Sequence, residues 1–583
     1  MMKRRSEMIV VFVAALIYLG CIVSPPSLMD DVDAVQAQIA RNMLESGDYV
    51  TARLNGIAYL EKSPMIYWLM AGSYAIFGGV SDWAARIPVA LSAIALAWLV
   101  YRFALWGSGC ERTAMRAGLV IATCIGLFLF TRIQIPDVML TLTIALALWG
   151  FLRALEPDEP HAARWIYIAY TAVAIGLLLK GLIALLFPVA TAGLYLVFTR
   201  QLFSREAWRR IRPFTGTLLA LAIAAPWHIA ATLANPPYWD LTFRSTPGEY
   251  RGFFWFYFMN EHVLRFLNLR HPRDYNTVPR AWFWAFHWLW LFPWSAYFGG
   301  VVRLDFKPST RAGRMRLLCA CWVGFILVFF TFSTTQEYYS MPCYPALAIL
   351  LAYAMMNPTR DARPLLIALT AAALLAIVAI LVKVNGLATP GDISSALTSN
   401  PDAYTLSLGH MDDLTINSFA YLRVPLVLAG LAFAIGLYAS IRRSALGLAS
   451  MMVIFLHAAR LALVTFDPYL ASRPLAQALP PGGTLIVDNQ YYAFSSIFFY
   501  TNRKALLLNG RVNNLEYGSY APGAQQVFID DAEFARRWQS TSEQYYLCVE
   551  KPQVDRIRKL GAVLHLVKES GGKFLFSNHE NSH

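Results

Sequence analysis

Over most of this chain, apolar residues run on in blocks long enough to cross a bilayer, about 17–25 residues each, with short polar stretches between them. The blocks start near Met8, Trp83, Met115, Val138, Trp165, Leu182, Thr215, Ala281, Leu317, Pro342, Pro364, Tyr421 and Ala445, which predicts about thirteen transmembrane helices. One further apolar stretch, Pro64 to Val80, is short, opened by proline and closed by glycine. If it crossed, the clusters Arg205/Arg209/Arg210/Arg212 and Arg303/Lys307/Arg311/Arg314/Arg316 would both have to be translocated, against the bias that keeps Lys and Arg inside. Pro64 to Val80 is therefore expected to be an interfacial or re-entrant helix, with the N-terminus inside and the C-terminal tail outside.

From about Phe466 the pattern changes. "GTLIVDN", "KALLLNG", "QYYLCVE", "AVLHLVKES" and "KFLFSN" alternate like strands, and "DAEFARRWQ" and "QVDRIRKLG" are amphipathic at helical spacing. The expected division is a membrane domain over 1–466, with a first outward loop over 24–80 and a large one over 232–281, and a small α/β domain over 467–583. The fold class is thus a mainly α-helical polytopic membrane protein with interfacial helices on the outward side.

Composition agrees with the pattern. Of 583 residues, 57% are hydrophobic and only 15% charged, and the mean hydropathy is +0.45, which excludes an ordinary water-soluble fold. The formal charge of +13 does not point to nucleic acid, because the cations sit in short segments between apolar blocks, where they set topology and meet anionic lipid. Seven cysteines, most within apolar runs, imply no disulfide framework. The basic start followed by Met8 to Cys21 lacks a small-residue cleavage site and is expected to be a retained first helix.

Chemistry is then sought in the outward segments. In the first, Asp30 and Asp31 immediately precede an amphipathic pattern (Val32, Val35, Ile39, Met43, Leu44), at a helix N-terminus that favours anions. One such Asp is commonly only a cap; two together beyond a span make catalytic candidates. Asp137 stands beside the bilayer in the short turn "FTRIQIPDVML", where a carboxylate is costly unless it is solvated, paired or used. The two short loops are expected to bring Asp30 or Asp31 near Asp137. In "YLEKSPMIYW", Lys62 would lie at headgroup level, placed to hold a phosphate, with Tyr59 beside it as a further substrate-binding candidate. Lys180 interrupts an apolar run at another outward turn, and Arg265 and Arg270 stand in the large loop, where outward cations call for an anionic partner such as a lipid phosphate. Tyr338 and Tyr339 are interfacial anchors by type, and beside an anion site they can donate to phosphate or sugar hydroxyls. Glu61 and His262 are a candidate ligand pair for a divalent cation, although nothing in their spacing requires one and no cofactor is otherwise called for.

These residues carry a resemblance. Asp30-Asp31 followed by "IARNMLESGDYVTARLNGIAYLEKSPMIYW" is similar to the first periplasmic loop of GT-C glycosyltransferases of the protein O-mannosyltransferase group, and within it to the bacterial aminoarabinose lipid A transferases; "LLLKGLIALLFP", "APWHIA", "NEHVLRF", "FPW" and "FSTTQEYYSMPCYPAL" continue the likeness in order. It covers roughly Met1 to Met355. Two departures stand out: Asp30-Asp31 where an Asp-Glu pair is common, and Ser63 where a proline is usual after Lys62. The resemblance implies an inverting enzyme of the bacterial inner membrane, with its site and C-terminal domain periplasmic. It would move 4-amino-4-deoxy-L-arabinose from undecaprenyl phosphate to lipid A phosphates, with membrane lipids as its other partners. Two other readings remain: transfer of a polyprenyl-phosphate-linked sugar to a protein hydroxyl or another glycolipid, and transport of the lipid-linked sugar. No internal repeat of the kind many transporters carry is visible.

Overall fold

The structure, a computed structural model, describes residues 2–272, 278–333, 335–356, 361–397, 414–540 and 542–580. Each of the predicted apolar blocks is helical. Among the described residues, eight helices are long and apolar enough to cross a membrane by length and composition: Asp82–Ser108, Asp137–Leu155, Ala162–Lys180, Arg205–Ala234, Arg311–Phe332, Arg363–Val384, Arg423–Arg442 and Ala445–Thr465. The remaining blocks are shorter or broken. Ile183–Phe198 and Met341–Met356 are compact apolar helices, and the block from Met115 is interrupted at Cys124, where the backbone turns extended between Glu111–Thr123 and Ile125–Phe130.

Pro64 to Val80 forms the twelve-residue helix Met65–Ile76. At 1.5 Å per residue it is roughly 18 Å long, too short to cross. It packs against helix Val32–Ser46 of the first loop and against Asp82–Ser108. The two ends of the molecule differ as the charge pattern predicts. Helix Asp137–Leu155, roughly 28 Å long, carries Asp137 at one end, and just past its other end Glu156 accepts Arg314 Nη2 at 2.6 Å while its carbonyl accepts Arg210 Nη1 at 2.8 Å. The segments expected inside thus meet one another at one end of the helix, and those expected outside gather around Asp137 at the other.

Beyond Ala445–Thr465 the chain builds a six-stranded mixed sheet. Thr484–Asp488 is parallel to Ala505–Leu508 on one side and to Tyr545–Glu550 on the other; Phe528–Ile529 extends the parallel part, and the antiparallel strands Lys573–Ser577 and His565–Ser570 extend the far edge. These are the strands the alternation predicts, apart from Phe528–Ile529, whose two residues are too few to show a period.

The sheet domain is tied to both large outward loops. Against the first, Asn55 exchanges two hydrogen bonds with the backbone of Ala505 (2.8 and 3.0 Å), and Arg41 donates to the carbonyls of Phe498 and Phe499. Against the second, the Tyr517 ring stacks on Phe256 with centroids 3.9 Å apart, and its hydroxyl donates to the Gly252 carbonyl at 2.9 Å.

Candidate active site

At the end of the helices that carries Asp137 lies a cavity of about 520 Å³. One part of its wall is polar and charged: Glu61, Lys62, Ser63, Asp137, Lys180, Glu261, His262, Arg265 and Tyr339. The other is apolar, with Leu182, Leu186, Phe187, Phe266, Phe329 and Phe330 among its residues. Four segments far apart in sequence supply the charges, because the short turns Thr131–Asp137 and Lys180–Gly181 and the two large loops all end at the same height.

The charges are arranged in three ion pairs with a common orientation. Lys62 pairs with Glu61; Lys180 Nζ lies 2.5 Å from Asp137 Oδ1; Arg265 Nη1 lies 3.1 Å from Glu261 Oε2. In each pair the cation is the more exposed member, with side-chain exposures of 22, 17 and 21% against 6, 3 and 3% for the carboxylates. Buried carboxylates hold the cations from behind and leave them facing the cavity, an arrangement able to receive an anion. Arg270 backs the third pair, donating to both oxygens of Glu261 at 2.7 and 2.6 Å. Burial pushes Glu261 upward despite Arg270 and Arg265, whereas for Glu61 the cations Lys62, Arg270 and Arg265 overcome the same burial and hold its carboxyl well below the usual range. Lys180 also lies over the rings of Tyr338 and Tyr339, 5.2 and 5.5 Å from their centroids, and Arg265 Nη2 donates to the Tyr339 hydroxyl at 2.9 Å.

Asp137 differs from the other two carboxylates. Its Oδ1 is taken by Lys180, but among the described residues no donor reaches the buried Oδ2. A buried acceptor left open beside a cavity is available to a ligand's hydroxyl or ammonium.

Three expectations are corrected. Asp30 does not face this cavity. It is fully buried against the sheet domain, where Oδ2 accepts Lys573 Nζ and Ser472 Oγ, both at 2.6 Å, and Oδ1 accepts the Ser496 N–H at 2.7 Å. Its charge is neutralised by a lysine on the last strand, so it is a docking residue. Asp31 precedes helix Val32–Ser46 with φ 70°, makes no side-chain cap and is absent from the cavity wall; its N–H donates to the Tyr492 carbonyl at 2.8 Å. The carboxylate that does reach the Asp137 turn is Asp33, which the sequence pattern alone does not single out. Its Oδ1 accepts the Gln134 N–H at 3.1 Å and its Oδ2 the Met29 N–H at 2.9 Å. Burial lifts its carboxyl to about 6 against the pull of Arg86.

The third correction concerns the metal pair. Glu61 and His262 both line the cavity, but both ring nitrogens of His262 are engaged: Nδ1 donates to the Tyr257 carbonyl at 2.6 Å, and Nε2 accepts the Leu182 N–H at 3.1 Å. Glu61 meanwhile faces Lys62 and accepts the Tyr59 hydroxyl at 2.9 Å. Tyr59 thus steadies Glu61 from a position outside the cavity wall. Among the described residues no group of three or more His, Cys, Asp and Glu is placed to hold a metal ion. Ser63, the departure from proline, earns a place in the wall. Its hydroxyl donates to the Leu177 carbonyl at 3.0 Å and contacts the Tyr257 hydroxyl, joining the first loop to the Lys180 helix.

The His262 contact closes the Lys180 turn. Gly181 has φ +74°, and a Cβ there would lie 2.2 Å from His262 Nε2 and 2.6 Å from the Tyr257 hydroxyl, so only glycine lets the ring approach. Burial is the main reason the imidazole is lowered from 6.5 to about 4. A ring held neutral stabilises the fold fully above 6.5, and that contribution is lost as pH falls toward about 4. Asp33, raised from 3.8 to about 6, acts in the opposite sense, so the difference between two proteins isolates the histidine. In His262→Asn the decline in melting temperature between pH 6.5 and 4 is expected to be shallower than in the unmodified chain. Parallel curves would remove the neutral-ring assignment.

Helices, cavity and paired charges define the class: a polytopic membrane protein of GT-C fold whose cavity sets three cations beside an apolar wall. Known proteins agree. Residues 61–229 match the family model described as dolichyl-phosphate-mannose-protein mannosyltransferase. The undecaprenyl phosphate-alpha-4-amino-4-deoxy-L-arabinose arabinosyl transferase of Aeromonas salmonicida is 29% identical over 336 residues, covering 56% of each chain. That of Shewanella sediminis is 24% identical over 521 residues, 86% of each. The matched stretch spans little more than half the length of the Aeromonas and Proteus mirabilis relatives. The crystal structure of ArnT from Cupriavidus metallidurans bound to undecaprenyl phosphate superposes with a TM-score of 0.76 at 21% identity, covering 100% of this chain and 99% of that one. The resemblance therefore holds in sequence over part of the chain and in fold over the chain as a whole.

Proposed function

We propose that this protein transfers 4-amino-4-deoxy-L-arabinose from undecaprenyl phosphate to the phosphate groups of lipid A, at the periplasmic face of a bacterial inner membrane, and so lowers the negative charge on which cationic peptides such as polymyxin act. The observation that carries this reading is the cavity's division between three forward-facing cations and an apolar wall. A polyprenyl phosphate has that same division. The relatives named for this activity supply the sugar and the carrier.

In the reaction, an oxygen of the acceptor phosphate attacks the anomeric carbon while the bond from that carbon to the carrier's phosphate oxygen breaks. The electron pair leaves on the carrier phosphate, where Lys62, Lys180 and Arg265 meet it. An acceptor phosphate is already ionised at neutral pH, so no general base is needed, and a single displacement inverts the centre. Asp137 Oδ2 is the acceptor for the sugar's ammonium or for positive charge growing at the anomeric carbon. With both His262 nitrogens engaged and three cations at the phosphate, transfer is expected to persist in chelator.

Mass spectrometry of lipid A from cells with and without the gene tests the proposal. An added aminoarabinose mass on the phosphates, dependent on the gene, is expected; identical spectra would overturn it. Sugar transfer by the purified protein in detergent, where there is no membrane to cross, would exclude pure transport.

A further inference from the structure

The segment leading from the span Pro213–Ala234 into the large outward loop has its polarity reversed relative to a loop in water. Tyr238, Trp239, Leu241 and Phe243 are 55, 70, 51 and 67% exposed. The polar residues between them turn inward. Asp240, with a side chain 19% exposed, accepts Arg251 Nη1 at 2.9 Å and the Thr242 N–H at 2.8 Å. The Thr242 carbonyl accepts Trp255 Nε1 at 2.7 Å, and Arg251 also pairs with Glu249. This network fixes the loop's shape, so the outward display of its apolar side chains belongs to the folded state.

The patch is continuous with a surface that already faces lipid. The Trp239 ring stacks on Phe254 with centroids 4.4 Å apart; Phe254 lies 5.1 Å from Phe258, and Phe258 lies 5.6 Å from His228 on the span itself. The same helix exposes Ile229 and Leu233, at 57 and 60%, on its outer face. Arg244 is exposed at the end of the patch, as suits a cation among lipid phosphates. Aromatic side chains ringing the end of a span, followed by a cation, are the composition of a membrane interface. Contiguous exposed apolar surface marks a binding surface, and here continuity with the lipid face identifies what covers it.

We propose that residues 238–243 insert into the outward leaflet at the boundary of headgroups and acyl chains. The insertion anchors the large loop, which carries Glu261, His262 and Arg265, to the bilayer. The inference rests on the loop's own contacts and stands apart from the identity of the sugar or acceptor.

Six of the seven cysteines are buried, leaving Cys110 partly accessible, so a Cys110→Ser background permits labelling at chosen sites. The full chain carrying Leu241→Cys or Phe243→Cys is labelled with an environment-sensitive fluorophore and reconstituted into phospholipid vesicles, with and without bromine on the acyl chains near the headgroup. Ile229→Cys serves as a lipid-facing control and Lys568→Cys, exposed on the sheet domain, as a solvent control. Labels at 241 and 243 are expected to emit to the blue of the label at 568 and to be quenched by bromine, as at 229. Emission matching position 568 would overturn the proposal. Blue emission that bromine does not quench would overturn it too, by marking a protein partner or a second copy as the occupant.

Discussion

Asp137→Asn is expected to cut sugar transfer about 10²- to 10³-fold, the range for removing one preorganised electrostatic group, while the melting temperature stays close to that of the unmodified chain. The amide keeps the shape and still offers Lys180 an oxygen where Oδ1 stands 2.5 Å from Nζ. It loses the negative charge, and it turns one open acceptor into a donor or a weaker acceptor at the position where Oδ2 has no partner among the described residues. Donor saturation is expected to change less than turnover, because Lys62 and Arg265 still receive the phosphate. Lys180→Met gives the opposite balance. It strands a carboxylate that is only 3% exposed, and stranding a buried charge costs about 3–5 kcal/mol, so this protein should be hard to recover folded. Turnover and thermal melting of both variants in detergent separate the two effects. Full activity in Asp137→Asn would remove Asp137 from the chemistry.

A second large effect is expected at the Asp30–Lys573 contact, and it lies in stability alone. Lys573→Met leaves Asp30, with no exposed surface, without its cation, at a cost of about 3–5 kcal/mol. Yield and melting temperature should fall sharply. Pairing it with Asp30→Asn removes the stranded charge and should restore much of the loss. Protein that does fold is expected to turn over at the normal rate, since neither residue lines the cavity. A folded Asp30→Asn/Lys573→Met protein with normal melting and no transfer would return Asp30 to the catalytic set.

These contacts explain what the sequence could disclose. Spans were legible because burial in lipid leaves a local signature, an unbroken apolar run, and even the short helix Met65–Ile76 could be demoted by counting arginines in loops it does not touch. Lys62, Asp137, Lys180, Arg265 and His262 stood out because an ionisable residue at the membrane boundary is costly and so conspicuous. Asp30 stands out for the same reason yet lies away from the cavity, because its partner is a lysine 543 positions later and nothing local separates a paired aspartate from a free one. Asp33 does not stand out, because one carboxylate in the first turn of an amphipathic helix is an ordinary feature. Its two backbone partners, at Met29 and Gln134, become visible only when the loops are folded together.

The Asp30–Lys573 contact also orders events in biogenesis. Asp30 leaves the ribosome 543 residues ahead of the lysine that neutralises it, which arrives with the strand Lys573–Ser577, after the described span Ala445–Thr465. Until then the loop carrying Glu61 and Lys62 has an uncompensated charge and no sheet to lean on. A stop codon at position 573 would delete no cavity residue, yet it would leave the nascent site waiting for a partner that never comes.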